Sequence, residues 1–476
     1  MNVRPGSVWL PFALLFVSFP MTGQTGPTTV AERYKATADK IIAAALSDTD
    51  GYKDLTYLSD HIGNRVNGSE ALKQAVTWSV QTMKKDGLSN VSTHPVTVPR
   101  WIRGKEEARI VAPVERSLHL LGLGSSVPTP PEGITAGIVA VSSWEELKSI
   151  GADRIKGKIV VFDPGWKGYG VGSQYRTQSA SRAAQYGAVA VLVRSATGLS
   201  LQDPHTGAQF YDKDATKIPA AALSVEDAAL LARLYAEGAE VKVKLTIDSH
   251  PAGTAVDANV VGELRGSEHP EQVVVIGGHI DSWDVGQGAQ DDGAGIIATL
   301  EAVSILKKLG LQPRRTIRVV FWTNEESGAD GAKAYRQWIG EGVKNHVAAI
   351  EMDTGAEAPV GIGYGSRFSA AQGAEGDKAD PASLALLNQI AALLETVGSN
   401  HILQGGGGTD VKPLTDEGVP GLRPVNTGTH YFDWHHSEAD TIDKVDLNDF
   451  RKNIATLAVL SYILADTPEV LAGGGI

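Results

Sequence analysis

The 476-residue chain contains no cysteine. That excludes disulfides, thiolate nucleophiles and thiolate metal ligands, so any metal bound here is held by His, Asp or Glu. Basic charge is also in deficit: 43 Lys and Arg against 55 Asp and Glu leave a net charge of -12, which argues against nucleic acid or an anionic membrane as partner. Long hydrophobic runs are absent beyond the N-terminus. The apolar run 8–19 (VWLPFALLFVSF), behind Arg4, is too short to span a bilayer and is followed by small polar residues, the pattern of a signal peptide over 1–23. A retained anchor is the other reading, since Met21-Thr22-Gly23 matches a cleavage site only loosely. A secreted or periplasmic chain without stable membrane association is expected. The remaining composition, 42% hydrophobic and 21% charged, is ordinary for globular proteins, and the length favours two domains over one core.

Function is most legible in 272–295, QVVVIGGHIDSWDVGQGAQDDGAG. The β-branched run closed by Gly277-Gly278 reads as an interior parallel strand, and from Ala294 onward Ile296, Ile297, Leu300 and Val303 fall on one helical face. Between them lie His279, Asp281, Asp291 and Asp292, where ligands of open α/β sheets gather, just beyond a strand's carboxyl end. Strand 316–322 (TIRVVFW) then ends in Thr323-Asn324-Glu325-Glu326, helix 328–339 follows, and strand 346–352 ends in Asp353. Alternating strands and helices predict a parallel sheet with helices on both faces, with His279, Glu325, Glu326 and Asp353 on one edge.

Upstream, 28–46 and 69–85 read as helices, the second capped by Ser69 and stopped at Gly87. His61, in the turn-rich HIGNRVNGS, has no partner at metal spacing and reads as structural. From about 118 to 250 the texture changes. KGKIVVFD and AVAVLVR are strands, 179–186 suits a helix, and 165–175 (GWKGYGVGSQY) matches no nucleotide fingerprint and reads as a lid or contact loop. This segment reads as a separate non-catalytic domain inserted between a catalytic N-terminal part, 24–117, and the rest, 251–470. Downstream come a helix at 381–397, a flexible run at 405–408, a strand near 421–425, a helix striped by Phe450, Ile454, Leu457, Ser461 and Leu464, and a frayed tail, 471–476.

Each chemical signal has a plain alternative when taken singly. His279 with Asp281 could be a satisfied strand-end histidine, Asp291-Asp292 a helix cap, and Glu325-Glu326 a solvated strand end. Together they are harder to explain without a cation, because adjacent carboxylates after the apolar VVFW are costly near a core unless something compensates them.

HIDSWDVGQGAQDDGAG, FWTNEESGADGA, EMDTGA and WHHSEADT, in this order, resemble the co-catalytic zinc exopeptidases that include bacterial aminopeptidases and glutamate carboxypeptidase II. The likeness extends through IGNRVNGSEAL, QYRTQSASRAAQYGA, DPHTGAQ and KIPAAALSVEDA and covers nearly the whole mature chain. It implies a zinc-exopeptidase fold, a mixed and mostly parallel α/β sheet with helices on both faces, and identifies 118–250 as resembling a protease-associated domain. It also implies two zinc ions per chain, with His279 and Asp353 on one, Glu326 and His436 on the other, and Asp291 bridging both. Asp281 would stand behind His279 and fix its tautomer. Glu325 would be the general base acting on a metal-bridged hydroxide. Many relatives carry a Tyr that donates to the oxyanion where this chain has His435, and that role passes to His435. Asp292 is left behind the ligands, and Gly408-Thr409-Asp410 matches a motif near the pocket without revealing what it touches.

The resemblance implies an exopeptidase acting on dipeptides or short peptides with free termini, paired as a homodimer. An aminopeptidase would share the zinc chemistry but hold the substrate amine, and a glutaminyl cyclase would keep a single zinc. A receptor-like relative would have lost ligands that are all present here.

Overall fold

The computed structural model describes residues 1–2, 28–365 and 380–473. Most of the segment read as a signal peptide, 1–23, and the end of the 471–476 tail lie outside the described residues. No helix among them is long and apolar enough to cross a membrane.

Two sheets organise the chain. The larger runs, strand by strand across its width, Ser89–Ile102, His250–Leu264, Arg315–Trp322, His269–His279, His346–Glu351, Gly421–Asn426, Pro359–Gly365 and His401–Gln404. Its middle strands, from Arg315–Trp322 to Gly421–Asn426, pair in parallel, whereas Ser89–Ile102 and His250–Leu264 pair antiparallel. Successive strand residues face opposite sides, and both sides are covered. Val274, Ile276, Ile317, Val319 and Phe321 pack with the helices Val30–Ser47, Ala294–Lys308 and Leu447–Asp466, while Val273, Val275, Val320 and Trp322 pack with Tyr335 of Asp330–Ile339. Burial on both faces is why these strands read as continuous apolar runs.

The smaller sheet is built from the insertion. It begins at Glu106–Ala112 and Arg116–Leu118, earlier than the 118 boundary, because Glu106–Ala112 pairs antiparallel with Lys242–Ile247 near the other end of the segment. The helix placed at 179–186 is also longer, Tyr169–Ala184, and takes in much of the glycine-rich loop. Tertiary packing overrides local propensity there, since Tyr175, Ser179, Ala180 and Ala183 are all buried and Tyr175 stacks on Trp144 at 4.3 Å.

His346 opens a central strand, buried, with Nδ1–H donating to Gly342 O at 3.0 Å and Nε2 accepting from Tyr335 O–H at 2.9 Å. Burial pushes its pKa down to about 4. Between that value and the ordinary 6.5 the unfolded chain takes up a proton that the folded chain refuses. Stability present above pH 6.5 is therefore lost as pH falls toward 4, by about 3 kcal/mol at most. The melting temperature of chelator-stripped His346→Gln should fall less steeply from pH 7 to 4.5 than that of the stripped parent; parallel slopes would exclude His346 as the source.

Candidate functional site

Register brings the polar residues together. Gly277 pairs with Glu351 and His279 with Trp322, so two residues past Glu351 places Asp353 level with His279, and Glu325 and Glu326 sit in the turn just beyond Trp322. His279 Nε2 is 3.1 Å from Asp291 Oδ1 and 3.4 Å from Asp353 Oδ1. The other oxygen of Asp291, Oδ2, lies 3.2 Å from His436 Nε2, and that same ring nitrogen is 3.0 Å from Glu326 Oε2. Asp291 thus offers one oxygen to each of two clusters. His435 Nε2 also lies 3.2 Å from Asp291 Oδ2, but the reach to Glu326 belongs to His436.

Asp281 departs from the expected geometry. Its carboxylate is 3.9 Å from His279 Nδ1, while its carbonyl oxygen is 3.0 Å away. The chain turns at the strand end, so the carbonyl fixes the imidazole and the carboxylate accepts from Glu325 N at 3.1 Å and Glu326 N at 3.4 Å. Asp281 therefore holds both strand ends at once. Asp292 spends its oxygens on backbone, accepting from His279 N at 3.0 Å and Gly295 N at 3.1 Å, which ties the strand end to the helix start. His61 stacks on Tyr57 at 4.8 Å, away from the cluster.

The donor set suits zinc. It offers nitrogen and oxygen ligands without sulfur, the donor atoms of Asp291, His435 and His436, and of His279, Asp291 and Glu326, lie within 4.8 Å of one another, and the buried oxygens Asp291 Oδ2 and Glu326 Oε1 have no hydrogen-bond partner. Buried acceptors of this kind are costly unless a cation compensates them. The electrostatics agree. Burial pushes Asp281 and Asp353 up to about 6 and Glu326 up to about 7. Burial acts on Asp291 in the same sense, yet His435, His279 and His436 outweigh it and hold that carboxyl well below the usual range. Burial works against charge on His279 and His436, but Asp353 and Asp291 around the first and Glu326 and Asp291 around the second raise both well above ordinary imidazole.

Two residues that sequence reasoning did not single out hold this frame. Asp440 accepts from Gln290 N at 2.7 Å and Asp291 N at 3.1 Å. Arg65, fully buried, gives its guanidinium to the carbonyls of Ile280, Gly63, Gln287 and Gly288 at 2.7 to 2.9 Å. Their signal was present in SEADT and IGNRVNGS as family likeness but not as local chemistry. The 405–408 run also differs from expectation, being buried rather than flexible. A Cβ on Gly408 would stand 2.2 Å from Glu351 Oε1, so the glycine permits the close approach of this loop to the strand end. Asp410 behind it is buried with both carboxylate oxygens unpartnered.

The inserted domain lies against the site. Thr206 N donates to His436 O at 2.9 Å, His205 Nδ1 meets His435 O at 2.7 Å, and Arg176 Nη1 lies 3.3 Å from His436 Nδ1. Tyr169 stacks on Phe432 at 4.6 Å and meets the His435 ring edge-on at 4.9 Å.

Residues 259–461 match peptidase family M28, and residues 127–231 match the PA domain. Carboxypeptidase Q of Bos taurus is 40% identical over 420 residues, 88% of this chain and 86% of that protein. Carboxypeptidase Q of Homo sapiens is 39% identical over the same shares. The crystal structure of a peptidase M28 precursor from Shewanella amazonensis SB2B superposes with a TM-score of 0.86 at 32% identity, covering 93% of this chain and 98% of that one. A zinc aminopeptidase from Bacillus subtilis, at 20% identity and a TM-score of 0.63 over 90% of this chain and 97% of its own, shares the fold.

Proposed function

This chain belongs to peptidase family M28 and is a zinc-dependent exopeptidase, and from that premise we propose that it is a carboxypeptidase Q-like enzyme that hydrolyses dipeptides and short peptides with free termini, using two zinc ions per chain. The observation that carries the metal count is the split of Asp291, with one oxygen 3.1 Å from His279 and the other 3.2 Å from His436. In this reading His279, Asp291 and Asp353 hold one ion, and Asp291, Glu326 and His436 hold the other. Likeness to carboxypeptidase Q over most of the chain supports the substrate class.

Zinc, when bound, supplies Lewis acidity to the scissile carbonyl and to water. The remaining work falls to the protein. Glu325 belongs to neither ligand group, and it takes the proton of the attacking water and returns it to the leaving amine. Asp281 keeps Glu325 in place through the backbone N–H bond at 3.1 Å. His435, stacked on His436 at 3.5 Å, is the side chain that donates to the oxyanion. The wall formed by Tyr169, Phe432 and His435 bounds one side of the site.

Export after removal of 1–23 belongs to the same reading and rests on the N-terminal sequence pattern; a mature N-terminus that still carries these residues would overturn it. Pairing as a homodimer rests on the family resemblance, and a monomer by light scattering would remove it. The test of function is metal content measured beside hydrolysis of a free dipeptide and its N-blocked and C-amidated forms. Two zincs per chain and loss of cleavage on blocking either end are expected. Cleavage that survives amidation but not N-blocking makes the enzyme an aminopeptidase instead.

A further inference from the structure

Glu326 is held by a side chain that the chemistry above does not use. The Trp283 indole N–H donates to Glu326 Oε2 at 2.7 Å, and Oε1 has no partner in the protein. An indole offers one donor and no acceptor, so packing rather than further hydrogen bonding sets where the ring stands. Beside the His436 ring, 5.7 Å away, that packing comes from the insertion. Trp283 is 5% exposed, and a Cβ on Gly124 would fall 2.1 Å from its Cη2, so the ring rests directly on backbone. Gly124 is itself pinned, its N–H donating to Gly207 O and its carbonyl accepting from Gln209 N, both at 3.0 Å. The next residue is fixed from the same side. Asp284 accepts from Arg103 Nε at 2.9 Å and Nη2 at 2.8 Å, and Arg103 Nη1 also donates to Gly122 O at 2.9 Å. The 283–284 turn is therefore clamped to the strand Leu120–Gly122 and its continuation.

We propose that Trp283 is a positioning residue for Glu326 and that the inserted domain sets its place through Gly124, so that one of the two metal positions depends on the insertion and the other does not. This inference rests on the two-zinc reading. A donor fixed to one carboxylate oxygen aims the other in a single direction and lowers the side-chain entropy cost of binding a cation. His436, on the same metal position, has its backbone held by Thr206 at 2.9 Å. His279 is instead oriented by Asp292 and the Asp281 carbonyl, within the larger sheet's own strand ends.

The test uses the full chain as parent, Trp283→Phe, Gly124→Ala and the double variant. Each is loaded with zinc and dialysed against graded free zinc, with metal per chain counted and the stripped proteins melted. Trp283→Phe keeps most of the ring's packing and lacks the N–H. It should release one equivalent at about 10- to 100-fold higher free zinc than the parent, with the second equivalent unmoved and the stripped melting temperature unchanged. Gly124→Ala should weaken the same single equivalent, with a lower stripped melting temperature because its Cβ must displace the buried ring, and the double variant should release zinc much as either single one does, because both act through one contact. Trp283→Phe holding both ions like the parent, or losing both in parallel, overturns the role of Trp283. A parent that binds a single zinc overturns the two-zinc reading itself, a separable result.

Discussion

Glu325→Gln is expected to bind zinc like the parent and to lower kcat by about 10²- to 10⁴-fold, the range for loss of a general base. The expectation follows from where the side chain starts. Glu325 and Glu326 leave the same turn, but Glu326 faces His436 at 3.0 Å, whereas Glu325 belongs to neither ligand group. Its backbone is anchored by Asp281 Oδ1 at 3.1 Å, so the amide variant keeps the turn and the shape of the side chain and loses only the capacity to accept and return a proton. Metal analysis of the same preparation separates the two roles. Unchanged zinc with collapsed turnover assigns proton transfer to Glu325; retained turnover removes that role, and lost zinc makes it a ligand.

Asp291→Ala should have the opposite signature, a loss of metal from both positions with activity falling to background. His279 lies at Oδ1 of Asp291 and His436 at its Oδ2, with Asp353 beside His279 and Glu326 beside His436. Removing it takes one ligand from each ion and leaves no bridge to hold them close. Zinc that binds the native state stabilises it in proportion to the logarithm of its concentration over Kd, about 4 kcal/mol at a thousand-fold excess. The variant should therefore melt well below the zinc-loaded parent. In chelator the variant should still melt below the stripped parent, but by less, because His279, His435 and His436 hold the Asp291 carboxyl well below its usual range and lose that partner. Binding of two zincs by Asp291→Ala would refute the bridge, and a large loss of stability in chelator would make Asp291 structural first.

Much of this was open to reading from the chain alone, and the reasons are local. Strand residues alternate faces and helical residues recur along one stripe, so Val273–Ile276, 316–322 and the Phe450 to Leu464 stripe declare their elements within a few residues of sequence. Once three parallel strands are placed, their carboxyl ends must lie on one edge, and His279, Glu325, Glu326 and Asp353 follow without any distance being known. The absence of cysteine limits the ligands to nitrogen and oxygen by composition alone. Other features had no local signature. Asp281 turns its carbonyl rather than its carboxylate toward His279, a choice made by the path of the chain after the strand. Gly408 permits the close approach of Glu351 and Gly406 that of the Gly421 carbonyl, and composition by itself cannot distinguish close approach from flexibility.

Element order, the nitrogen and oxygen character of the candidate metal donors and the family to which the chain belongs are all written in spacings of a few residues or in ordered motifs. Tertiary structure alone decided that the inserted domain closes onto the site through Arg176, Thr206 and Gly124, and that Asp440 and Arg65 brace the bridging loop. Such contacts join positions as far apart as 260 residues. The first set arises where the inserted domain docks on the catalytic part and the second where distant loops of the catalytic part meet, geometries that no periodicity within one element encodes.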